Sequence, residues 1–457
     1  MKKYLPLILL SAVFFLIKIG GIGIRISDSN IYFYTAYQLL EGQILYKDIF
    51  FTNFPLLPYI STIYFLLLGG DLALYTFTPT IEVIVVGSLI YKIILDKKQN
   101  IYIAALTTAV YYFSFITLAT SDHQTGVFLA SIFSVAAYYF YVQKRMILSG
   151  ILIALCLMTK AYFLPVFLAL AVVLLLKERK KSIFFFGAFF ITVVLVLLPS
   201  LIFSPSEIYN NIIEYSLTRS QGVSKLNILR FFTTHDIILV ILFFYSLVRF
   251  KKNEALGLIN VFGLIFVLLY KDVYYLYLNF VVAYLCLALP DLLEDISKKV
   301  QMQKYIIPFL ISILLGINTV IYLSSYQSLQ KIEGIETITA SLKSHQSKYI
   351  YGTNDIAPAL AYLSGKKLVA GVVDTNENIF LKGFLNGEEM TKEAINQNAL
   401  IVSHGAYYPY LSIDETVIGS MFDKNQMTKN CLLIGAIPVT TEGMENRITF
   451  FECLNEK

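Results

Sequence analysis

The distribution of Lys and Arg between long apolar runs constrains the fold of this chain more than any other feature of its sequence. A run of about 20 apolar residues is long enough to cross a lipid bilayer as a helix. The mean hydropathy is +0.67, and 57% of the 457 residues are hydrophobic, which is more than a soluble domain of this size requires. The apolar runs lie near 5–24, 54–68, 72–94, 101–119, 124–142, 146–159, 161–176, 182–203, 235–250, 255–270, 273–290 and 305–324.

Basic residues give these runs an orientation, because Lys and Arg concentrate in cytoplasmic loops. The basic clusters fall on one side only if the short run 54–68, which begins near Pro55 and ends at Gly69-Gly70, does not cross. The sequence then predicts about eleven spans, with the N-terminus in the cytoplasm and the C-terminus outside. The residues predicted inside are Lys2, Lys3, Lys97, Lys98, Lys144, Arg145, 177–181, Arg249, Lys251, Lys252, Lys298, Lys299 and Lys304. The basic residues predicted outside are Arg25, Lys47, Lys160, Arg219, Lys225, Arg230 and Lys271.

The remaining composition excludes several classes of function. The first run follows Lys2-Lys3 without a small-x-small cleavage site, so we interpret it as an uncleaved span of a multi-pass plasma-membrane protein. The net charge of +5 reflects the cytoplasmic loops and predicts no nucleic-acid partner. The four Cys and four His form no CxxC or His-rich pattern, so we expect neither a metal site nor a cofactor.

Three outer segments interrupt the spans and divide the chain into two parts. The loop 25–71 contains an amphipathic stretch, 29–40, that predicts a helix lying on the membrane surface. The loop 204–234 is the second segment. The third, 325–457, alternates short apolar runs with helical patterns and predicts a small extracytoplasmic α/β domain. The fold class is therefore an all-α polytopic membrane domain, 1–324, with a small α/β domain, 325–457.

Two Cys in the C-terminal domain predict a disulfide. The runs 431–438 and 447–454 flank Glu442-Gly443, a turn signal. An antiparallel pairing centred on residue 442 places Cys431 opposite Cys453, and directly opposed Cys approach bridging distance. The alternative is a hairpin with two half-buried thiols.

The first outer loop carries a family likeness. It reads Arg25-Ile-Ser-Asp28, then Leu39-Leu40-Glu41-Gly42, then Leu45-Tyr46-Lys47-Asp48, then Pro55-Leu-Leu-Pro58-Tyr59. This resembles the C-class (GT-C) membrane glycosyltransferases, in particular the protein O-mannosyltransferase and aminoarabinose-transferase branch. Asp122 matches the family's second acidic position, Met158-Thr-Lys160 its Leu-Thr-Lys turn, and Lys271-Asp-Val-Tyr274-Tyr275 its basic-x-x-His-Tyr run. Ser29 and Tyr274 stand where the family often has Glu and His, and no Pro precedes Tyr46.

The leading hypothesis follows from this likeness and from the outer charged residues. It is a membrane glycosyltransferase that moves a sugar from a polyprenyl-phosphate donor to an acceptor hydroxyl on a glycan, lipid or protein. Such chemistry needs a base for the hydroxyl proton and cations for the leaving phosphate. We assign catalysis to Asp28 and Asp122, and phosphate binding to Lys160, Arg219, Lys271 and Arg25. Asp48, Tyr46 and His123 are assigned to sugar or acceptor contact.

Each assignment has a structural alternative. Asp28 also fits a helix N-cap and Lys160 a snorkelling interfacial cation. Asp122 lies in a capping box, Ser121-x-x-Gln124, but Ser121 fills the cap and leaves Asp122 free. Lys18 and Glu82 lie inside predicted spans, where unpaired charge is expensive, so we expect them to pair with each other. The alternative functions are a multi-pass lipid or solute transporter or flippase, and a membrane-anchored sensor acting through 325–457. The charges gathered at one face, without a sequence repeat, favour the transferase.

Overall fold

Every predicted apolar run coincides with helix in the computed structural model, which describes residues 2–219, 222–298, 303–329, 331–406, 420–441 and 444–454. The helices before the C-terminal domain are Leu5–Ile19, Ser29–Leu40, Leu56–Leu67, Leu72–Lys98, Ile101–Phe113, Phe115–Thr120, Val127–Val142, Met146–Thr159, Leu164–Lys177, Arg179–Phe203, Pro205–Ile208, Tyr215–Thr218, Lys225–His235, Ile237–Val248, Glu254–Leu269, Asn279–Cys286, Leu289–Ser297 and Gln303–Ile321. Short 3-10 or π-helical turns join them at Lys2–Tyr4, Ala161–Phe163, Tyr209–Glu214, Phe250–Lys252, Tyr275–Leu278 and Tyr322–Tyr326.

Several of these helices are long and apolar enough to cross a membrane. Among the described residues, three meet the requirement singly: Leu72–Lys98, Arg179–Phe203 and Tyr305–Tyr326. The number is up to 5 if each of two bent helix pairs, Lys225–His235 with Ile237–Val248 and Tyr275–Cys286 with Leu289–Ser297, is one span. The other apolar helices are shorter, so the count of about eleven spans and their orientation stay predictions.

The C-terminal domain is built on one mixed five-stranded sheet, which confirms the predicted fold class. Its strands are β1 (Tyr349–Gly352), β2 (Lys367–Leu368), β3 (Leu400–Ala406), β4 (Cys431–Thr441) and β5 (Met444–Cys453), in the order β2-β1-β3-β5-β4. β1 pairs in parallel with β2 and β3, whereas β5 is antiparallel to β3 and β4. The accompanying helical segments are Ile335–Ser344, Ala357–Ser364, Val369–Gly371, Glu377–Leu381, Gly387–Asn396 and Lys424–Asn430.

The two faces of this sheet pack against different partners, because successive strand residues point to opposite sides. Leu400 and Val402 belong to a core shared with the first outer loop, including Phe33 and Leu57. Ile401, between them, belongs to a separate core formed within the C-terminal domain. The domain therefore shares a hydrophobic core with the loop 25–71.

The helix Ser29–Leu40 has the predicted bounds, and most of its residues are buried within the protein, so its place on the membrane surface stays a prediction. It packs against both Leu56–Leu67 and Ala357–Ser364. Polar residues such as Thr35 and Gln38 are buried along with apolar ones such as Phe33. The C-terminal domain contacts the apolar residues of this helix: the Phe33 ring packs against Tyr362, and the Tyr34 hydroxyl accepts a hydrogen bond from the backbone N–H of Leu368 at 3.3 Å.

The expected pair between Lys18 and Glu82 is wrong. Lys18 forms an ion pair with Asp122 and donates hydrogen bonds to the carbonyl of Leu118 at 2.7 Å and the hydroxyl of Tyr322 at 2.8 Å. The Tyr322 hydroxyl in turn donates to Asp122 at 2.8 Å. Glu82 instead accepts hydrogen bonds from Tyr64 at 3.0 Å and Gln124 at 2.7 Å. The positions of apolar runs in the sequence do not determine which buried charged residues pair with each other.

The predicted disulfide is present. Cys431 and Cys453 are directly paired in the β4–β5 ladder, with Cα atoms 4.0 Å apart, and their sulfurs are bonded. The ladder is irregular between Leu433 and Gly435. The turn predicted at Glu442-Gly443 lies outside the described residues.

We predict that Asp122→Ala destabilises the protein strongly. The substitution leaves the Lys18 ammonium buried without its carboxylate, and breaking a buried pair in this way costs about 3–5 kcal/mol. Thermal unfolding of the purified protein in detergent measures the loss.

The double variant Lys18→Met, Asp122→Leu is the control, because it removes both charges together. We expect it to recover most of the lost stability. A double variant as unstable as Asp122→Ala would show that the ion pair is not the reason.

A second prediction concerns the disulfide. Replacing Cys431 and Cys453 by Ser removes a cross-link with a sequence separation of 22 residues, which stabilises by about 3 kcal/mol through the entropy of the unfolded chain. We expect limited proteolysis to cleave the C-terminal domain of the double variant faster than that of the wild type. Mass spectrometry of the fragments measures the cleavage. Cys156→Ser, at a buried free Cys, is the comparison that leaves the cross-link intact. Equal cleavage of the wild type and the double variant would contradict the prediction.

Candidate active site

A polar cavity of about 250 Å³ lies where the helical domain meets the C-terminal domain. Its walls come from the first outer loop, from the turn at Lys160, from the loops around Arg219 and Asp272, and from the C-terminal domain. The lining side chains include Asp28, Tyr32, Asn53, Lys160, Tyr162, Tyr215, Arg219, Asp272, Tyr274, Tyr277, Asn354, Asp374, Asn376 and Asn378. The cavity thus collects ionic and hydroxyl groups from distant parts of the sequence.

Asp28 opens into this cavity. It occupies the N-cap position of the helix Ser29–Leu40, yet within the described part of the chain its side chain makes no capping hydrogen bond. The Asp28 carboxylate is exposed to the cavity, but protein atoms surround the cavity. The resulting loss of hydration raises the pKa of Asp28 to about 6. The charge of Asp374 acts in the same direction, and Lys160 opposes it. A carboxylate free of capping bonds is available to accept a proton.

Lys160 ends the helix Met146–Thr159 and lies in the turn before Ala161–Phe163. Its side chain is buried, donates a hydrogen bond to the Tyr32 hydroxyl at 2.9 Å and lies 4.9 Å from the centre of that ring. Burial lowers the pKa of Lys160 to about 7, and the charge of Arg219 acts in the same direction. Asp28 partly offsets both effects.

Arg219 is the second cation of the cavity. Its guanidinium donates to Asp272 at 3.1 Å and to the Tyr162 hydroxyl at 3.3 Å, and it lies over the Tyr215 ring. Its Nε–H is buried, with no acceptor among the described residues. Arg219 lines the cavity through the rest of its side chain.

An apolar groove of about 460 Å³ adjoins the polar cavity. Asn53, Lys160, Tyr162 and Arg219 line both spaces. The rest of the groove is largely apolar and includes Phe54, Leu164, Pro165, Leu168, Ile212, Phe262, Ile265, Phe266 and Leu269. The two cations therefore stand at the junction between a hydrocarbon-compatible groove and a water-compatible cavity.

The C-terminal domain supplies the opposite wall. Asp374 is buried and accepts hydrogen bonds from the Thr52 hydroxyl at 2.7 Å and from the backbone N–H of Asn376 at 3.2 Å. The Thr52 contact joins this wall to the first outer loop. Asn354, Asn376 and Asn378 line the cavity beside it.

The other predicted site residues lie outside this lining. Asp122 sits in the ion cluster with Lys18, described above, and Arg25 joins that cluster at 3.8 Å from the Asp122 carboxylate. Arg25 also donates to the backbone carbonyls of Gly21 at 2.8 Å and Gln327 at 2.6 Å. Burial lowers the pKa of His123 to about 4, so this imidazole is neutral near pH 7.

The remaining predicted contacts are also peripheral. Asp48 is exposed and accepts a hydrogen bond from the backbone N–H of Ile44 at 2.8 Å. Tyr46 is buried and donates to the carbonyl of Asn53, a residue of the cavity wall, at 2.5 Å. Lys271 is exposed, next to the cavity residue Asp272. The structure thus brings together Asp28, Lys160 and Arg219 from the predicted set.

Sequence reasoning missed Asp374 and the neighbouring amides, although a signal was available. Asn354 and Asp374 follow the strands β1 and β2, which run in parallel. Ligands of α/β domains bind beyond the carboxyl ends of such strands. Asp272 lay within the quoted run around Lys271, but its pairing with Arg219 depends on loop geometry that the sequence does not encode locally.

The site offers limited means to bind a metal ion. Among the described residues, no group of three or more His, Cys, Asp or Glu is placed to hold one. The chemical groups that the cavity provides are two cations, three carboxylates, amides and phenols.

Comparison with known proteins identifies the fold. No family model and no curated protein matches the sequence. Two crystal structures of ArnT from Cupriavidus metallidurans match over 97% of this chain and 97% of theirs, at 10% sequence identity. The apo form gives a TM-score of 0.66 and the form bound to undecaprenyl phosphate 0.63. ArnT is an aminoarabinose transferase of the GT-C class, so the resemblance found in the sequence is confirmed for the fold: this chain has the fold of a GT-C membrane glycosyltransferase.

Proposed function

We propose that this protein is a membrane glycosyltransferase that moves a sugar from a polyprenyl-phosphate donor to an acceptor hydroxyl. One observation carries the proposal: Lys160 and Arg219 line both the apolar groove and the polar cavity. The parts of a polyprenyl-phosphate sugar match the groove, the cations and the cavity in order: an apolar tail, an anionic phosphate and a polar sugar. The match with a structure of ArnT bound to undecaprenyl phosphate supports this ligand class.

The charged groups have distinct roles in this mechanism. Lys160 and Arg219 hold the phosphate through charge-assisted hydrogen bonds. Asp272 and Tyr162 orient the guanidinium. Asp28, which lines the same cavity, faces the acceptor hydroxyl.

In the transfer step, Asp28 takes the proton from the acceptor hydroxyl as its oxygen forms a bond to the anomeric carbon of the sugar. The bond between that carbon and the phosphate oxygen breaks, and its electron pair leaves with the phosphate. The products are the glycosylated acceptor and a polyprenyl phosphate, whose added negative charge Lys160 and Arg219 stabilise. Asp122 takes no part in this step, because it lies outside the cavity lining and its carboxylate is paired with Lys18.

The predicted orientation agrees with this chemistry. The cavity, the first outer loop and the C-terminal domain lie together, and positive-inside counting places them outside the cell. The donor then reaches the site from the outer leaflet. The acceptor class, whether glycan, lipid or protein, is open to experiment.

The function is tested by incubating the purified protein with a panel of radiolabelled polyprenyl-phosphate sugars and acceptor extracts of bacterial envelopes. We expect one donor to transfer its label and to release polyprenyl phosphate. Absence of both transfer and binding of undecaprenyl phosphate would refute the proposal.

Two substitutions should separate turnover from donor affinity. Asp28→Asn keeps the size of the side chain but removes the base, so we expect kcat to fall by about 10²–10⁴-fold. Lys160→Ala should weaken donor binding by about 1.5–3 kcal/mol, the contribution of a charged hydrogen bond. Steady-state kinetics and donor-binding titrations measure the two effects.

Matched controls come from the same outer surface. Asp71→Asn makes the same chemical change at an acid that only caps the helix Leu72–Lys98, and Lys47→Ala removes an exposed outer cation. Both should retain wild-type kinetics. Near-normal kcat in Asp28→Asn would remove Asp28 from the mechanism.

The pH dependence of kcat/KM should be bell-shaped. Asp28 must be deprotonated to accept a proton, so activity is lost as the pH falls through about 6. Lys160 must be protonated to hold phosphate, so activity is lost as the pH rises through about 7. Lys160→Arg should move the alkaline limb upward, because guanidinium stays charged. An unchanged alkaline limb in that variant would assign it to another group.

A further inference from the structure

The C-terminal wall of the cavity differs chemically from the wall that carries the cations. It presents the amides of Asn354, Asn376 and Asn378, and the carboxylate of Asp374. Amides donate and accept hydrogen bonds at once, which suits hydroxyl groups that do the same.

Local hydrogen bonds fix this wall in place. Asp374 is tied to Thr52 and to the backbone of Asn376, and the Asn376 side-chain oxygen caps the N–H of Asn378 at 3.0 Å. The Asn378 side chain is partly exposed and lines the cavity. These contacts pre-organise the wall and leave polar groups for a ligand.

The charges of the cavity do not favour an acidic ligand beyond the phosphate. Lys160 and Arg219 stand at the groove side, and Arg219 is already paired with Asp272. Asp28 and Asp374 face the rest of the cavity. A sugar carboxylate held there would meet like charge in a partly desolvated site, which is destabilising.

The size of the cavity points to a small ligand. Its volume of about 250 Å³ is below the 300–1,000 Å³ that is usual for drug-sized ligands. One sugar ring, attached to a phosphate at Lys160 and Arg219, would extend towards the amides.

We infer that Asn354, Asn376 and Asn378, positioned by Asp374, form the subsite that recognises the transferred sugar, and that this sugar carries hydroxyl groups but no acidic group. The inference rests on the proposed function and adds the substrate class. In this arrangement the C-terminal domain is a specificity element of the transferase.

The test measures binding to the full-length protein in detergent with three probes. They are undecaprenyl phosphate, the same lipid linked to a neutral hexose, and the same lipid linked to a hexuronic acid. We expect the wild type to prefer the neutral hexose over the hexuronic acid by about ten-fold or more. Asn378→Ala should weaken binding of the hexose-linked lipid about five-fold, the effect of one neutral hydrogen bond, and leave undecaprenyl phosphate binding unchanged.

Two further variants sharpen the result. Asp374→Asn removes a negative charge and should reduce the difference in affinity between the lipids linked to the neutral hexose and to the hexuronic acid. Asn396→Ala changes an exposed Asn of the same domain that lies outside the cavity lining, and should behave as wild type. Thermal unfolding establishes that each variant is folded, and Asn354→Ala replaces Asn378→Ala if the latter is not.

Three results would overturn the inference. The first is equal affinity of the wild type for the neutral and acidic sugars. The second is unchanged hexose-linked binding in folded Asn378→Ala and Asn354→Ala. The third, no binding of undecaprenyl phosphate by the wild type, would remove the proposed function together with the inference, whereas the first two leave the proposed function standing.

Discussion

The site depends on how the buried helix Ser29–Leu40 is held in place. Its N-terminus is fixed by polar bonds to both sides: the backbone N–H of Gln124 donates to Ser29 at 2.8 Å, and Asn30 donates to the backbone carbonyl of Asp355 at 2.5 Å. Buried polar groups of this kind are expensive unless they are satisfied. Because both partners are in place, Asp28, one residue before the helix, points into the cavity.

Charged groups and apolar surface lie a short distance apart where the polar cavity adjoins the apolar groove. Lys160 and Arg219 would each be costly in an apolar groove alone. Tyr32 and Asp272 provide partners that allow the two cations to remain beside it. A lipid phosphate would complete this arrangement, since it would pair with the two cations at the boundary between the two spaces.

Sequence reasoning predicted the elements better than their long-range contacts. The apolar runs, the helix 29–40, the sheet and the pairing of Cys431 with Cys453 depend on local periodicity and a short hairpin. The partner of Lys18 depends instead on how helices rotate against each other, and periodicity does not determine this rotation. Asp374 was missed for a similar reason, because its proximity to Thr52 joins residues far apart in the chain.

The composition of the cavity wall has a consequence for how the protein reaches its active form. Residues from Asp28 to Asn378 must meet before the cavity exists, so its contacts are of long sequence separation. Contacts of this kind form slowly, because the entropy of closing long loops must be overcome first. The cavity is complete only when the C-terminal sheet is docked on the first outer loop, so an undocked chain would lack the wall that Asn354, Asp374, Asn376 and Asn378 provide.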